Sequence, residues 1–529
     1  MEKEKEIKST NKNKSIFIII LVIVLLLIAG LCFYLANKNK PNKKDENINV
    51  ESQKYKSKYY INNNSVSDFD LYFLQLENNG KNMIYSPLSI KYALSMLNDG
   101  TEGESHDQIA GVIGKYNAQK YINSKNMSFA NAFFIKDSYK EQIKEDYITT
   151  LKNNYDADII YDSFKTPTNV NKWVKDKTLN LIDNLVDDIS QEDFILINAL
   201  GIDMEWINKI QPDNINYRVE YNHEDYSDFI PALPHAGYAK LKFDNSDKDY
   251  SALDFAAVAN KYDIINIIGE DKIRKIVKTE LEKWIKEQKE QNVEISEYYT
   301  NVDQYLDEYM KGIKTNYKKI SSSTDFYFGD YKDTKVFAKD LKTYNNKTLQ
   351  YIGIMPKNIA LNEYIRTINA KEINNIITNL KPIDLNSFEE GYITQIDGLV
   401  PLFNFDYRLS LVDDLKKLGI TNIFTEEKAN LTKLTTNPEA TINKAEHKSN
   451  IDFSNEGIKA AAAAFLGGSG GGDPEFDYKF KVPIKTIDLQ FNKPFLFLIR
   501  DKDTNEIWFT GTVYTPSEYT KYCPGNCTK

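Results

Sequence analysis

NEGIKAAAAAFLGGSGGG, residues Asn455 to Gly472, carries two opposed conformational instructions. Five consecutive alanines favour a helix, because alanine loses least when a helix forms. The glycines beyond Leu466 then read as its stop. The same stretch also reads as a linker, or as a segment built to change conformation. Gly467-Gly468-Ser469-Gly470-Gly471 matches the G-x-S-x-G pattern of a hydrolase nucleophile, but that motif needs a strand before the serine and a helix after it. An alanine run precedes Ser469 and Gly-Asp-Pro follows, so no nucleophile elbow forms there.

The surrounding chain has 529 residues, enough for a large core and more than one domain. Its 76 acidic and 67 basic residues are interspersed and give a net charge of −9. No basic stripe of a nucleic-acid binder is present. Ile16 to Ala36 is a run of 21 residues without a charge. At 1.5 Å per residue that covers a hydrocarbon core of about 30 Å, so the run reads as a transmembrane signal anchor. A cleaved signal peptide, the competing reading, needs a shorter apolar region and a small-x-small site. Lysines flank the span on both sides and discriminate its orientation weakly. The expected organisation is a cytoplasmic segment 1–15, the anchor 16–36 and a polar tether 37–60, with the body outside the cell.

Chemistry-bearing clusters do not emerge. His106, His223, His235 and His447 have no metal-ligand spacing, and no specific carboxylate pair stands out. No enzyme, metal or cofactor is therefore expected. Cys523 and Cys527 form CPGNC in the tail 518–529, where a Pro-Gly turn can bring them together as a disulfide. The alternative is two free thiols in a frayed end.

Periodicity places helices at Ser65–Leu76, at Pro87–Asp99 with Ser86 as N-cap, and at Asn169–Val186. Phe194–Leu200, Leu349–Pro356 and Pro494–Asp501 read as buried strands, the last pairing with Glu506–Thr515. Helices and strands mix without regular βαβ alternation, so the fold class is α+β. Residues 207–325 look different. Ser251–Gly269 resembles one ankyrin helix-turn-helix, and charged helices follow at Lys272–Gln291 and Val302–Ile313. One repeat cannot bury its own faces, so the segment reads as a helical insertion.

Six stretches in order resemble the serpins, over 61–206 and 326–517. They are NMIYSPLSIKYALSMLNDGTEGESHDQI, NKWVKDKT, FILINAL with Trp206 beyond it, LFNFDYRLSLVDDLKKLGITNIF, HKSNIDFSNEGIKAAAA, and FNKPFLFLIRD with WFTGTVYTP. The resemblance implies three β-sheets surrounded by helices, with an exposed reactive-centre loop at about 455–485. It also implies an inhibitor of serine, or cysteine, endopeptidases that acts as a suicide substrate. The target cleaves the loop and forms an acyl complex, and the cut loop inserts into the large sheet. A non-inhibitory scaffold whose insertion or loop binds an unknown surface protein is the alternative.

Carried onto this chain, the resemblance makes Gly457, Ile458, Lys459, Ala460, Ala461, Ala462, Ala463 and Ala464 the loop hinge. With period-two alternation, Ile458, Ala460, Ala462, Ala464 and Leu466 share one apolar face and Lys459 takes the other. Ser86, Ser89, Asn198 and His447 become the polar groups beneath the sheet opening, with Trp206 at its end. Asn455 and Leu402 stand where the family commonly has a glutamate and a lysine, so that ion pair is absent. Counting forward from Gly457 puts the scissile bond near Gly471–Gly472. Counting back from Phe491 puts it near Tyr478, Lys479, Phe480 and Lys481. The loop is long, and GGSGGG reads as slack or as a non-native linker.

Overall fold

A computed structural model describes residues 54–207, 225–227, 235–259, 264–319, 326–382, 392–458 and 478–520. The expected span Ile16–Ala36, hinge residues Lys459 to Ala464, Gly471, Gly472, Cys523 and Cys527 lie outside the described residues. Among the described residues no helix is long and apolar enough to cross a membrane.

The first third of the chain runs through helix α1 (Phe69–Glu77), strand β1 (Met83–Tyr85), helices α2 (Pro87–Asp99) and α3 (Gly103–Ile113) and strand β2 (Met127–Lys136). Helix α4 (Glu145–Tyr155), strand β3 (Asp158–Asp162), helix α5 (Thr168–Lys177) and strands β4 (Phe194–Ile202) and β5 (Met204–Glu205) follow. Ser86 caps α2 as expected: its hydroxyl accepts the Ser89 N–H at 3.1 Å, and Pro87 starts the first turn. The helix expected over Asn169–Val186 stops at Lys177. Leu179 and Asn180 adopt left-handed backbone, φ 55° and 62°, and turn residues 178–193 into an irregular strap. That strap packs Ile182, Leu185, Val186 and Ile189 with Val170 and Val174 of α5 and with Ile197 and Ala199 of β4.

Strands β6 (Asp225–Ser227), β7 (His235–Lys242) and β8 (Asp249–Ala259) come next, then helices α6 (Ile264–Ile268), α7 (Glu270–Glu290), α8 (Glu297–Thr300) and α9 (Val302–Lys319). The expectation of helices from 207 onward is corrected here. Ser251–Ala259 lies in β8, which is hydrogen-bonded to β7 on one side and to a later strand on the other. A continuous apolar run suits a buried strand as well as a helix, so periodicity could not separate them. The helical module itself begins at Ile264.

The remainder comprises β9 (Phe326–Gly329), β10 (Thr334–Asp340), β11 (Leu349–Pro356), α10 (Leu361–Thr367), α11 (Ala370–Thr378) and β12 (Lys381–Pro382). Strands β13 (Ile393–Pro401) and β14 (Phe403–Ser410) precede α12 (Val412–Leu418). Strands β15 (Glu446–Phe453), β16 (Gly457–Ile458), β17 (Lys479–Lys481), β18 (Ile484–Gln490), β19 (Phe495–Asp501) and β20 (Ile507–Val513) complete it. The expected hairpin of the last two is present, with Phe495 opposite Val513.

The largest sheet runs β1-β20-β19-β11-β10-β9-β12, and a second runs β18-β13-β8-β7. Two further groups, β3-β2-β4 and β14-β15-β16-β5, meet where β4 passes into β5 through Asp203. Most buried side chains of this α+β body, from Ile61 to Val513, form one apolar cluster. A separate cluster belongs to the helical module.

Candidate functional site

The join between those last two groups is a single point. Strand β15 turns through Ser454–Glu456, where the Ser454 N–H donates to the Gly457 carbonyl at 3.0 Å. The next two residues form β16 and lie between two strands. Ile458 pairs with Phe453 of β15 on one side and Met204 of β5 on the other, and Gly457 faces Glu205. A side chain does not fit at 457, since a Cβ there would come 2.1 Å from the Met204 carbonyl oxygen. Close approach, rather than a left-handed turn, therefore explains this glycine. Ile458 is buried in the main cluster, which is the core face that period-two alternation assigns to it.

Trp206 locks this end. Its backbone N–H donates to the Glu456 carbonyl and its indole Nε1–H to the Ser454 carbonyl, each at 2.9 Å. The ring is fully buried and packs edge-on against Phe453 and Tyr351. Both ends of the 454–456 turn are thereby held to the residue after β5.

Below this point β4 and β15 separate: among the described residues no register pairs them. A cavity of about 370 Å³ opens between them, lined by α2 from its cap Ser86 to Leu97 and by α5 and its strap. Ser86, Ser89, Asn198 and His447 all line it. The structure thus brings together four residues that are far apart in sequence. The Ser86 N–H donates to His447 Nε2 at 2.9 Å, and Ser449 Oγ lies 2.9 Å from the same nitrogen. Burial pushes the His447 imidazole down to about 4, so it is neutral at pH 7.

Across the cavity, the Asn198 amide donates to Asn131 Oδ1 at 2.8 Å, and the Asn131 amide passes the chain to the Tyr155 carbonyl at 2.7 Å. Asn198 Oδ1 is buried without a hydrogen-bond partner. Buried acceptors are ordinarily satisfied, so this one marks a place where a further donor fits. Asn131, Ser449 and Gly201 were not singled out from sequence. Asn131 had a signal, a lone amide inside the apolar run MSFANAFFIK. Gly201 had none: a Cβ there would meet the Thr178 backbone at 2.8 Å, a contact made by the strap crossing β4.

The distal candidates lie elsewhere. Lys479 and Lys481 are exposed, but Tyr478 and Phe480 are buried among the helices of the module, at 1% and 0% exposure. Their strand β17 pairs with β6, Phe480 opposite Tyr226. A protease cleft takes an extended, accessible chain, so cleavage at Tyr478 or Phe480 would require those side chains to leave this packing, while Lys479 and Lys481 stay on the exposed face.

Comparisons with known proteins agree with this architecture. The family model described as Serpin (serine protease inhibitor) matches residues 62–316 and 308–516. The chain is 22% identical over 481 residues to an uncharacterized serpin-like protein of Methanosarcina acetivorans, covering 87% of this chain and 86% of that one. It is 22% identical over 469 residues to neuroserpin of Homo sapiens, covering 82% and 86%. Among solved structures it resembles the thermophilic serpin tengpin in its native state, with TM-score 0.54 and 21% identity over 85% of this chain and 92% of that one. It also resembles thyroxine-binding globulin in complex with thyroxine, with TM-score 0.55 and 15% identity over 85% and 98%. With the body's matched residues in order and its sheets arranged in this way, the chain belongs to the serpin family.

Proposed function

We propose that this protein is a membrane-tethered inhibitor of serine, or cysteine, endopeptidases that traps its target by inserting a cleaved loop between β4 and β15. The observation that carries this reading is the seating of Gly457 and Ile458 between β15 and β5, in a register that runs toward the cavity between β15 and β4. Extended by an inserted strand, that register would set Ala460 between Ile451 and Ile202, Ala462 between Ser449 and Leu200, and Ala464 between His447 and Asn198. Methyl groups fill such a gap without clashes, and a strand there would supply N–H and C=O partners to both unpaired edges. In the trapping step the protease's hydroxyl or thiol displaces the amine of the loop bond and holds the N-terminal side as an ester or thioester. Strand insertion then competes with hydrolysis of that bond.

The tether in this reading is Ile16–Ala36, supported by its 21 uncharged residues. Extraction of the full chain from membranes by detergent but not by alkaline carbonate tests it.

Incubation with a panel of endopeptidases tests the inhibition, with an SDS-stable complex as the expected result. Cleavage by several enzymes without any complex would overturn it. A second reading, a non-inhibitory scaffold with the helical module as an insertion, draws on the burial of Tyr478 and Phe480 within that module. Heat stability separates the two. Loop cleavage should raise the melting temperature sharply for an inhibitor and barely move it for a scaffold.

A further inference from the structure

The helical module does not close its own core. Helix α7 buries Ile273, Val277, Leu281 and Ile285, a single ridge at spacing four. Helix α9 adds Leu306, Met310 and Ile313. Two helices in contact leave their shared groove open along one side, and a pair of this length rarely holds together unaided. Here the groove is filled by a segment from far along the chain. Tyr478, Phe480 and Val482 alternate with the exposed Lys479 and Lys481, so one face of an extended strand enters the helical cluster. The Tyr478 and Tyr305 hydroxyls lie 2.9 Å apart in a buried pair, and the Tyr309 ring meets Tyr478 edge-on at 5.2 Å. The backbone of the same segment pairs with β6, Lys479 opposite Ser227 and Lys481 opposite Asp225.

We infer that the helical module is a clamp for the arm that leaves the reactive loop: it holds Tyr478–Val482 as the third layer of its core and removes the bonds around Lys479 and Lys481 from protease reach. The inference rests on the proposed function only in taking 455–485 as the loop region. The clamp stands on its own contacts. It also accounts for the loop length. Counting back from Phe491 led to Tyr478–Lys481, the very stretch where the arm is anchored from Tyr478 onward. The chain between the two anchors, Ile458 and Tyr478, is nineteen residues, 459–477. A protease engaging it would sit beside α7 and α9, so the module's outer face becomes part of what the enzyme meets.

Limited trypsin digestion of the full chain in detergent, read by mass spectrometry, tests the clamp without reference to inhibition. Cleavage after Lys479 and Lys481 should be slow in wild type and at least about tenfold faster in Phe480→Ala, because local opening sets the rate. Equal rates in the two proteins would overturn it. If Phe480→Ala fails to fold, hydrogen exchange of wild type decides: residues 479–481 should exchange as slowly as α7, and exchange within seconds beside a protected α7 overturns the clamp. Protection here without an SDS-stable complex in the protease panel would reject the inhibitor reading alone.

Discussion

The backbone N–H of Ser86 donates to Nε2 of His447 at 2.9 Å, tying the N-terminus of α2 to strand β15 in the lining of the cavity. The bond requires an unprotonated Nε2, and burial supplies it by pushing the imidazole down to about 4 from its ordinary 6.5. Between those values the unfolded chain binds a proton that the folded chain does not. Stability therefore rises with pH through the window, is complete above about 6.5, and is lost as pH falls toward 4, by up to about 3 kcal/mol. Glu192 and Glu446, raised mainly by burial, act in the opposite sense nearby. The contribution of His447 is thus the difference between wild type and His447→Gln, whose amide oxygen can accept the same bond. Urea denaturation from pH 4 to 7 should show a shallower slope in the variant, and parallel curves would refute the assignment.

Gly457→Ala should lift β16 away from β5, because its Cβ has no room beside the Met204 carbonyl. Ile458 then loses its buried place, a cost of about 2 kcal/mol. Since the Trp206 N–H donates to Glu456 in the adjoining turn, its exchange with solvent should accelerate. Unchanged exchange at Trp206 would show that the hinge tolerates a methyl group.

If the loop inserts as proposed, a charge on its buried face should stop trapping while leaving cleavage intact. Ala462→Arg would carry a guanidinium between Leu200 and Ser449, and an unpaired buried charge is expensive. The yield of SDS-stable complex should fall at least about tenfold, with cleaved inhibitor accumulating instead. Lys459→Glu, on the alternate face, is the control and should keep its yield. Equal loss from both variants would reject the alternation.

Lys91 is fully buried, with its Nζ 2.7 Å from Asp70 and 3.6 Å from Glu506, both also buried. Burial works against its charge, but the two carboxylates outweigh burial and its pKa is raised. Lys91→Met should cost about 3–5 kcal/mol by leaving both acids uncompensated. Combining it with Asp70→Asn and Glu506→Gln should recover part of that loss in thermal melts, and no recovery would mean that packing of the lysine stem dominates.

Much of the body was legible along the chain. Ser86 and Pro87 announced α2, and Phe194–Leu200, Leu349–Pro356 and the β19–β20 hairpin declared themselves as strands through short runs rich in apolar, aromatic and β-branched residues. Local chemistry suffices there, because a cap or an apolar run acts over a few residues. The face of Ile458 was legible for the same reason, since alternation is a property of the backbone. What sequence missed depended on neighbours distant in the chain. Ser251–Ala259 resembled a helix until β7 and β13 flanked it, and Asn169–Val186 lost its second half to a left-handed turn. The family resemblance had grouped Asn198 with His447, but only tertiary structure could show the cavity between them and give Gly457 its reason in the carbonyl of Met204. Only tertiary structure, too, could turn Tyr478 and Phe480 from loop residues into the core of a helical pair, because burial is set by what folds over a residue.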